Sequence, residues 1–138
     1  VTPEALRTLL HEARTVAVVG LSPNPARPSH SVTRYLQRVG YEIVPVNPFH
    51  TSILGARCYP SLAAAAQDHP IDIVDVFRRS EYAGEVVDAA LALAPPPRLI
   101  WLQEGVVDPA AAERARAAGV PLVMDRCLAV DHRRLQVA

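Results

Sequence analysis

At 138 residues, half of them hydrophobic, the chain is sized for about one domain around one core, and no apolar run approaches the ~20 residues that span a bilayer. Fourteen basic residues balance 14 acidic ones, which excludes a nucleic-acid binder that relies on bulk positive charge. Every basic residue is arginine, so Schiff-base chemistry, a lysine general base and the P-loop lysine are all excluded. The first residues lack the charged-then-apolar pattern of a signal peptide, and the expectation is a soluble, cytoplasmic protein with no membrane contact. Cys58 and Cys127 match no metal-ligand spacing; they read as two free thiols, with a disulfide left open.

Thr2-Pro3-Glu4 has the order of a helix start: N-cap, proline at the first helical position, acid in the first turn. Leu6, Leu9, Leu10 and Ala13 follow at helical spacing. Residues 15–20 form a β-branched run, as in a strand buried on both faces of a parallel sheet. A proline-rich loop with one arginine, Ser22-Pro23-Asn24-Pro25-Ala26-Arg27-Pro28, leads to a helix capped by Ser29 or Ser31, with Val32, Tyr35, Leu36 and Val39 as its apolar stripe and Gly40 as its stop.

The alternation repeats. Residues 41–46 make a second strand closed by Asn47-Pro48, and residues 49–59 read as an irregular excursion rather than a sheet strand. Ser61 caps a short helix to about Asp68, residues 71–77 form a third strand, and Ser80 caps the next helix. Residues 98–102 give a fourth strand, Asp108-Pro109 start an alanine-rich helix ended by Gly119, residues 120–124 give a fifth strand, and a short helix closes the chain after Arg126. This pattern predicts a single α/β domain over residues 1–138, a Rossmann-like, three-layer, doubly wound parallel sheet of about five strands in the order 3-2-1-4-5. A ligand is then expected outside the carboxyl ends of the strands, at the switch point between strands 1 and 4.

That edge gathers polar and cationic residues: Gly20, Leu21 and Ser22, then Arg27 and Ser29, from the first strand and its loop; Val46, Asn47 and Pro48 from the second; Phe77, Arg78 and Arg79 from the third; Gln103, Glu104 and Gly105 from the fourth; Asp125, Arg126 and Cys127 from the fifth. Gly20 allows close approach, the helix start near Ser29 offers unpaired N–H groups and a positive dipole end, and Arg27 adds a forked donor. Those parts suit a phosphate. They do not match a dinucleotide fingerprint, because Ser22 stands where the second glycine would be and Asn47 where a ribose-binding acid would be.

Five blocks carry a resemblance: residues 16–22 with Arg27 and Ser29; Val46-Asn47-Pro48; Val76-Phe77-Arg78; Trp101-Leu102-Gln103-Glu104-Gly105-Val106; and Asp125-Arg126-Cys127. Together they resemble the small single-domain CoA-binding proteins, which are similar to the nucleotide-binding domain of the succinyl-CoA synthetase alpha subunit. The resemblance implies coenzyme A as the ligand, with its phosphates on the Gly20–Ser29 loop, its adenine near Val46–Pro48 and Phe77-Arg78, and its pantetheine arm near Gln103–Val106. A phosphate on the CoA ribose makes Asn47 a safer neighbour than an acid.

No histidine pairs with a nucleophile in a recognisable arrangement; His30 lies beside the phosphate loop, and Cys127 is the one thiol near the ligand edge, beside Arg126. Three readings follow. The first is a module that binds CoA or acyl-CoA and acts as carrier, sensor or regulator. The second is an oxidoreductase using NAD(P). The third is the CoA-binding subunit of a two-part acyl-CoA synthetase, which needs a larger partner protein.

Overall fold

A computed structural model describes residues 1–137. Helix α1 (Pro3–Glu12) starts as its sequence requires, with the Thr2 hydroxyl accepting from the Ala5 N–H at 3.1 Å, and it buries Leu6 and Leu10. Strand β1 (Thr15–Val19) is buried at all five positions. The elements α2 (Pro28–Arg38), β2 (Glu42–Val46), β3 (Ser52–Ile53), β4 (Ala56–Arg57) and α3 (Leu62–Asp68) follow. Then come β5 (Ile73–Val76), α4 (Ser80–Leu91), β6 (Leu99–Leu102), α5 (Pro109–Ala117), β7 (Leu122–Val123) and α6 (Leu128–Arg134).

Alternate strand residues divide the core into two layers, as a period of two dictates. Ala17, Val19, Val44, Val74, Val76, Ile100 and Leu102 face Leu62 and Ala65 of α3, Ala83 and Val87 of α4, and Ala111 and Ala115 of α5. Val16, Val18, Ile43, Ile73, Leu99 and Trp101 face Leu6 and Leu10 of α1, Leu36 of α2 and Leu128 of α6. The result is the expected α/β, Rossmann-like arrangement of three layers around a parallel five-stranded sheet.

The strand order differs from the one expected. It runs β2-β1-β5-β6-β7, so residues 73–76 pair with β1, from Val16↔Ile73 to Val19↔Val76, instead of lying outside β2. The place beyond β2 goes to the piece read as an excursion. Tyr59 forms a single parallel bridge with Val46; its N–H donates to the Pro45 carbonyl, and its own carbonyl accepts from the Asn47 N–H, both at 2.9 Å. Counting that bridge as a strand makes the order 3-2-1-4-5-6, the pattern expected with a different segment in third place. Burial explains the exchange. All four residues of β5 are buried, as an inner strand requires, whereas one bridged residue suffices to cover the β2 edge. The switch point consequently lies between β1 and β5.

Two caps also differ. Helix α2 begins at Pro28 with Arg27 as its N-cap, and α4 begins at Ser80 with Arg79 as its N-cap; neither cap makes a side-chain bond to the helix. Proline already lacks one of the donors a cap would satisfy, and both serine hydroxyls are turned to neighbouring loops.

One inner-strand residue breaks the apolar pattern. Asp75 stands between Val18 and Trp101 in the sheet, fully buried, and neither carboxyl oxygen has a hydrogen-bond partner among the described residues. Burial pushes its carboxyl well above the ordinary carboxylate range. The folded protein therefore holds this proton to higher pH than the unfolded chain, and stability is lost as pH rises from about 4, the unfolded value, towards the folded one. Asp75→Asn removes this dependence. Urea unfolding from about pH 4 to pH 8 is expected to show wild-type stability falling relative to Asp75→Asn as pH rises; parallel profiles would show that Asp75 does not titrate this way.

Candidate functional site

The chain leaves β1 through Gly20, whose φ is +89°, a region L-residues seldom occupy. Its N–H donates to the Val46 carbonyl at 3.2 Å, and a Cβ at this point would stand 2.7 Å from the Phe77 carbonyl oxygen and 3.2 Å from Arg78 Cδ. Backbone from β2, β1 and β5 thus converges on one glycine. Leu21 then turns its side chain fully into the core, and its carbonyl accepts from Asn47 Nδ2 at 3.0 Å. Asn47 Oδ1 accepts from the Phe49 N–H at 2.9 Å, so both ends of that amide clamp loops together.

The next residues close on themselves. Ser22 Oγ accepts from the Asn24 N–H at 3.1 Å, Asn24 Oδ1 from the Ala26 N–H at 3.0 Å, and the Asn24 carbonyl from the Arg27 N–H at 3.0 Å. These turns use the short polar side chains that mimic backbone, and three prolines stiffen the rest. Ser29, in the first turn of α2, pins the loop by accepting the Ser22 N–H at 3.0 Å. The His30 and Ser31 N–H groups reach the Arg27 carbonyl, Pro28 has no N–H, and no acid lies in this first turn. The Ser29 N–H is thus left to the positive end of the helix dipole, without a protein partner among the described residues.

A cleft of about 610 Å³ opens over this loop. Gly20, Phe77 and Gln103, from the carboxyl ends of β1, β5 and β6, form its floor. Ser22, Arg27, Pro28, Ser29 and Val32 line the α2 side. Arg78, Glu104, Val106 and Cys127 complete it. Neither Arg27 nor Arg78 has a carboxylate partner among the described residues; Arg78 lies over the Tyr82 ring, 4.9 Å from its centroid. Arg79 is instead paired with Glu81 at 3.7 Å and stands outside the cleft.

The far wall depends on a fold-back. After β7 the chain returns across β6, where Trp101 Nε1 donates to the Arg126 carbonyl at 2.7 Å and Asp125 Oδ1 accepts from the Gly105 N–H at 2.7 Å. This carries Cys127, the N-cap of α6, into the cleft. Arg126 is ion-paired with the buried Asp131. Helices α2 and α6 are tied together by Tyr35 Oη and His132 Nδ1 at 2.8 Å, and burial lowers the His132 pKa.

Nine of the seventeen residues that the sequence gathers at the ligand edge therefore line the cleft: Gly20, Ser22, Arg27, Ser29, Phe77, Arg78, Gln103, Glu104 and Cys127. Leu21 and Val46 have buried side chains, Asn47 is engaged as a clamp, Pro48 is exposed beyond it, and Gly105 is bonded to Asp125. Pro28, Val32 and Val106 also line the cleft. Val32 packs against the core cluster of Leu36, as its place in the apolar stripe predicts, but it is only half-buried and also borders the cleft. Among the described residues, no group of His, Cys, Asp and Glu could hold a metal ion, and no helix is long and apolar enough to cross a membrane. The arrangement suits an elongated ligand with an anionic end at Arg27 and the α2 terminus, an apolar stretch against Phe77, Val32 and Val106, and an amide-bearing arm within reach of Gln103.

Comparison with known proteins gives the family. A family model described as a CoA binding domain matches residues 14–133. The chain is 40% identical to the uncharacterised protein YneT of Bacillus subtilis over 127 residues, 92% of this chain and 91% of that protein. It is 25% identical over 121 residues to an ADP-forming acetate–CoA ligase I of Archaeoglobus fulgidus, covering 83% of this chain but only 18% of the ligase. A solved structure from Thermus thermophilus, cell-free ID.343, superposes with a TM-score of 0.90 at 40% identity, covering 98% of this chain and 99% of that one.

Proposed function

This chain belongs to the family of CoA-binding domains, and from that premise we propose that it holds coenzyme A or an acyl-CoA in the cleft between the starts of α2 and α6. The observation that carries this reading is that one cleft brings together Gly20, a helix N-terminus without a side-chain cap, and two arginines, Arg27 and Arg78, without carboxylate partners among the described residues. Phosphates take their place against the Ser29 N–H and Arg27, where each charge-assisted bond contributes about 1.5–3 kcal/mol. Arg78 meets a second phosphate, and Phe77 packs against the adenine or the arm. The nucleotide extends past Gly20 over the end of β2, where Val46, Asn47 and Pro48 border it, while Gln103 and the Gly105 turn border the pantetheine arm.

An oxidoreductase using NAD(P) finds less support. The end of β2 carries Asn47, whose amide is occupied by Leu21 and Phe49, where a dinucleotide site uses a carboxylate.

Two forms of the CoA reading differ in what happens to the ligand. The match to part of the ADP-forming ligase favours a CoA-holding component of a two-part acyl-CoA synthetase, its chemistry completed by a larger nucleotide-dependent partner. The other form is a carrier or sensor that acts without such a partner. Thermal unfolding separates the ligands: CoA at 100 times its dissociation constant stabilises by about 2.7 kcal/mol, and NADH at the same concentration is expected to do nothing. A midpoint raised by NADH and not by CoA would overturn the proposal. Affinity capture from the native cell separates the two forms, since only the first brings down a nucleotide-dependent synthetase subunit.

A further inference from the structure

The cleft ends in a thiol, and its ligand is itself a thiol. Cys127 is half-buried in the wall at the start of α6, whereas Cys58 is buried in the core and lies outside the cleft. Neither cysteine is in a disulfide. Beside Cys127, Gln103 is 4% exposed, and its Oε1 accepts from the Leu128 N–H at 3.3 Å. That bond leaves Gln103 Nε2 as a donor with no partner among the described residues, in a side chain that lines the cleft. A buried amide donor left open towards a cavity marks where a ligand carbonyl belongs. The arm of CoA carries two amide carbonyls before its sulfur. A carbonyl seated on Gln103 delivers that sulfur to the wall where Cys127 stands.

We propose that Cys127 is a thiolation site for CoA, forming a mixed disulfide with the sulfur of the ligand the cleft recognises. The inference rests on the CoA reading and adds a covalent, redox-dependent form of binding to it. The reaction is thiol–disulfide exchange with CoA disulfide as oxidant. The Cys127 thiolate attacks one sulfur of CoA disulfide; the new bond joins Cys127 Sγ to that CoA sulfur, and the original S–S bond breaks. The second CoA leaves as a thiolate and takes a proton from water. Cys127 is oxidised, the released CoA sulfur is reduced, and a small thiol reverses the step. Arg126, being paired with Asp131, is not the activating group; selectivity comes from the ligand held alongside.

The test is intact-protein mass spectrometry with peptide mapping after exposure to equal concentrations of CoA disulfide or glutathione disulfide. The folded protein is expected to gain one CoA at Cys127, roughly tenfold or more faster than it gains glutathione, because binding places the sulfur beforehand. Urea-unfolded protein sets the intrinsic ratio of the two reagents. Adenosine 3′,5′-bisphosphate, the nucleotide end without a thiol, is expected to slow only the CoA reaction. Cys127→Ser is expected to gain no CoA. Equal rates in folded and unfolded protein, or modification at Cys58, would overturn the inference. Reversible CoA titration on the reduced protein distinguishes the two levels: binding with no rate advantage defeats the disulfide alone, whereas no binding defeats the cofactor reading itself.

Discussion

Gly20→Ala is expected to cost the fold about 2–4 kcal/mol. An L-residue at a positive φ costs roughly 1–2 kcal/mol, and here the new methyl also meets the Phe77 carbonyl oxygen at 2.7 Å. That atom belongs to the backbone at the end of β5, which is bonded back to β1 through the Phe77 N–H and the Val19 carbonyl at 2.8 Å. Relief therefore requires the two central strands to part at the point where the cleft begins. Gly40 provides the comparison: its φ is +107°, yet nothing lies within 4 Å of a Cβ there. Urea unfolding of Gly20→Ala and Gly40→Ala separates collision from backbone strain. Equal losses in the two variants would show that the β1–β5 contact is not tight.

Arg27→Ala is expected to do the reverse, leaving the fold intact and weakening CoA binding. Arg27 is exposed, makes no ion pair among the described residues, and caps α2 only through its backbone, so the stability change lies within about 0.5 kcal/mol. A lost charge-assisted bond to a phosphate costs about 1.5–3 kcal/mol, roughly a ten- to hundredfold rise in Kd. Added salt narrows the gap between wild type and variant, because an exposed guanidinium is screened. Isothermal titration at two salt concentrations measures both. Unchanged affinity in a folded variant would remove Arg27 from the site.

How far the sequence reaches is set by the range of the interactions that decide each feature. Thr2, Ser61 and Asp108 are local signals, each accepting from an N–H three residues on, and the helices start where those residues say. The β-branched run of β1 and the glycine after it place the loop from Gly20 to Ser29, because both effects act within a few bonds. Strand order is not local. Tyr59 holds the outer position through one bridge, too short for any periodicity to reveal, and Asp75 sits in an inner strand where an apolar residue is the norm. Asn47 reads from the sequence as a ligand-edge residue, and its clamping bonds to Leu21 and Phe49 are seen only in the structure. Cys127 reads from the sequence as the thiol near the ligand edge, but the bonds that carry it into the cleft, Trp101 to the Arg126 carbonyl and the Gly105 N–H to Asp125, join residues 25 and 20 apart and are seen only in the structure.

Amide hydrogen exchange, followed with and without CoA, tests most directly that the cleft between α2 and α6 is where the cofactor lies. Slowed exchange is expected in peptides covering residues 20–32, 77–79, 103–107 and 126–129, with the Ser29 amide among the most protected because a phosphate becomes its acceptor. Protection confined to other surfaces, with the loop from Gly20 to Ser29 exchanging as fast as before, would contradict it.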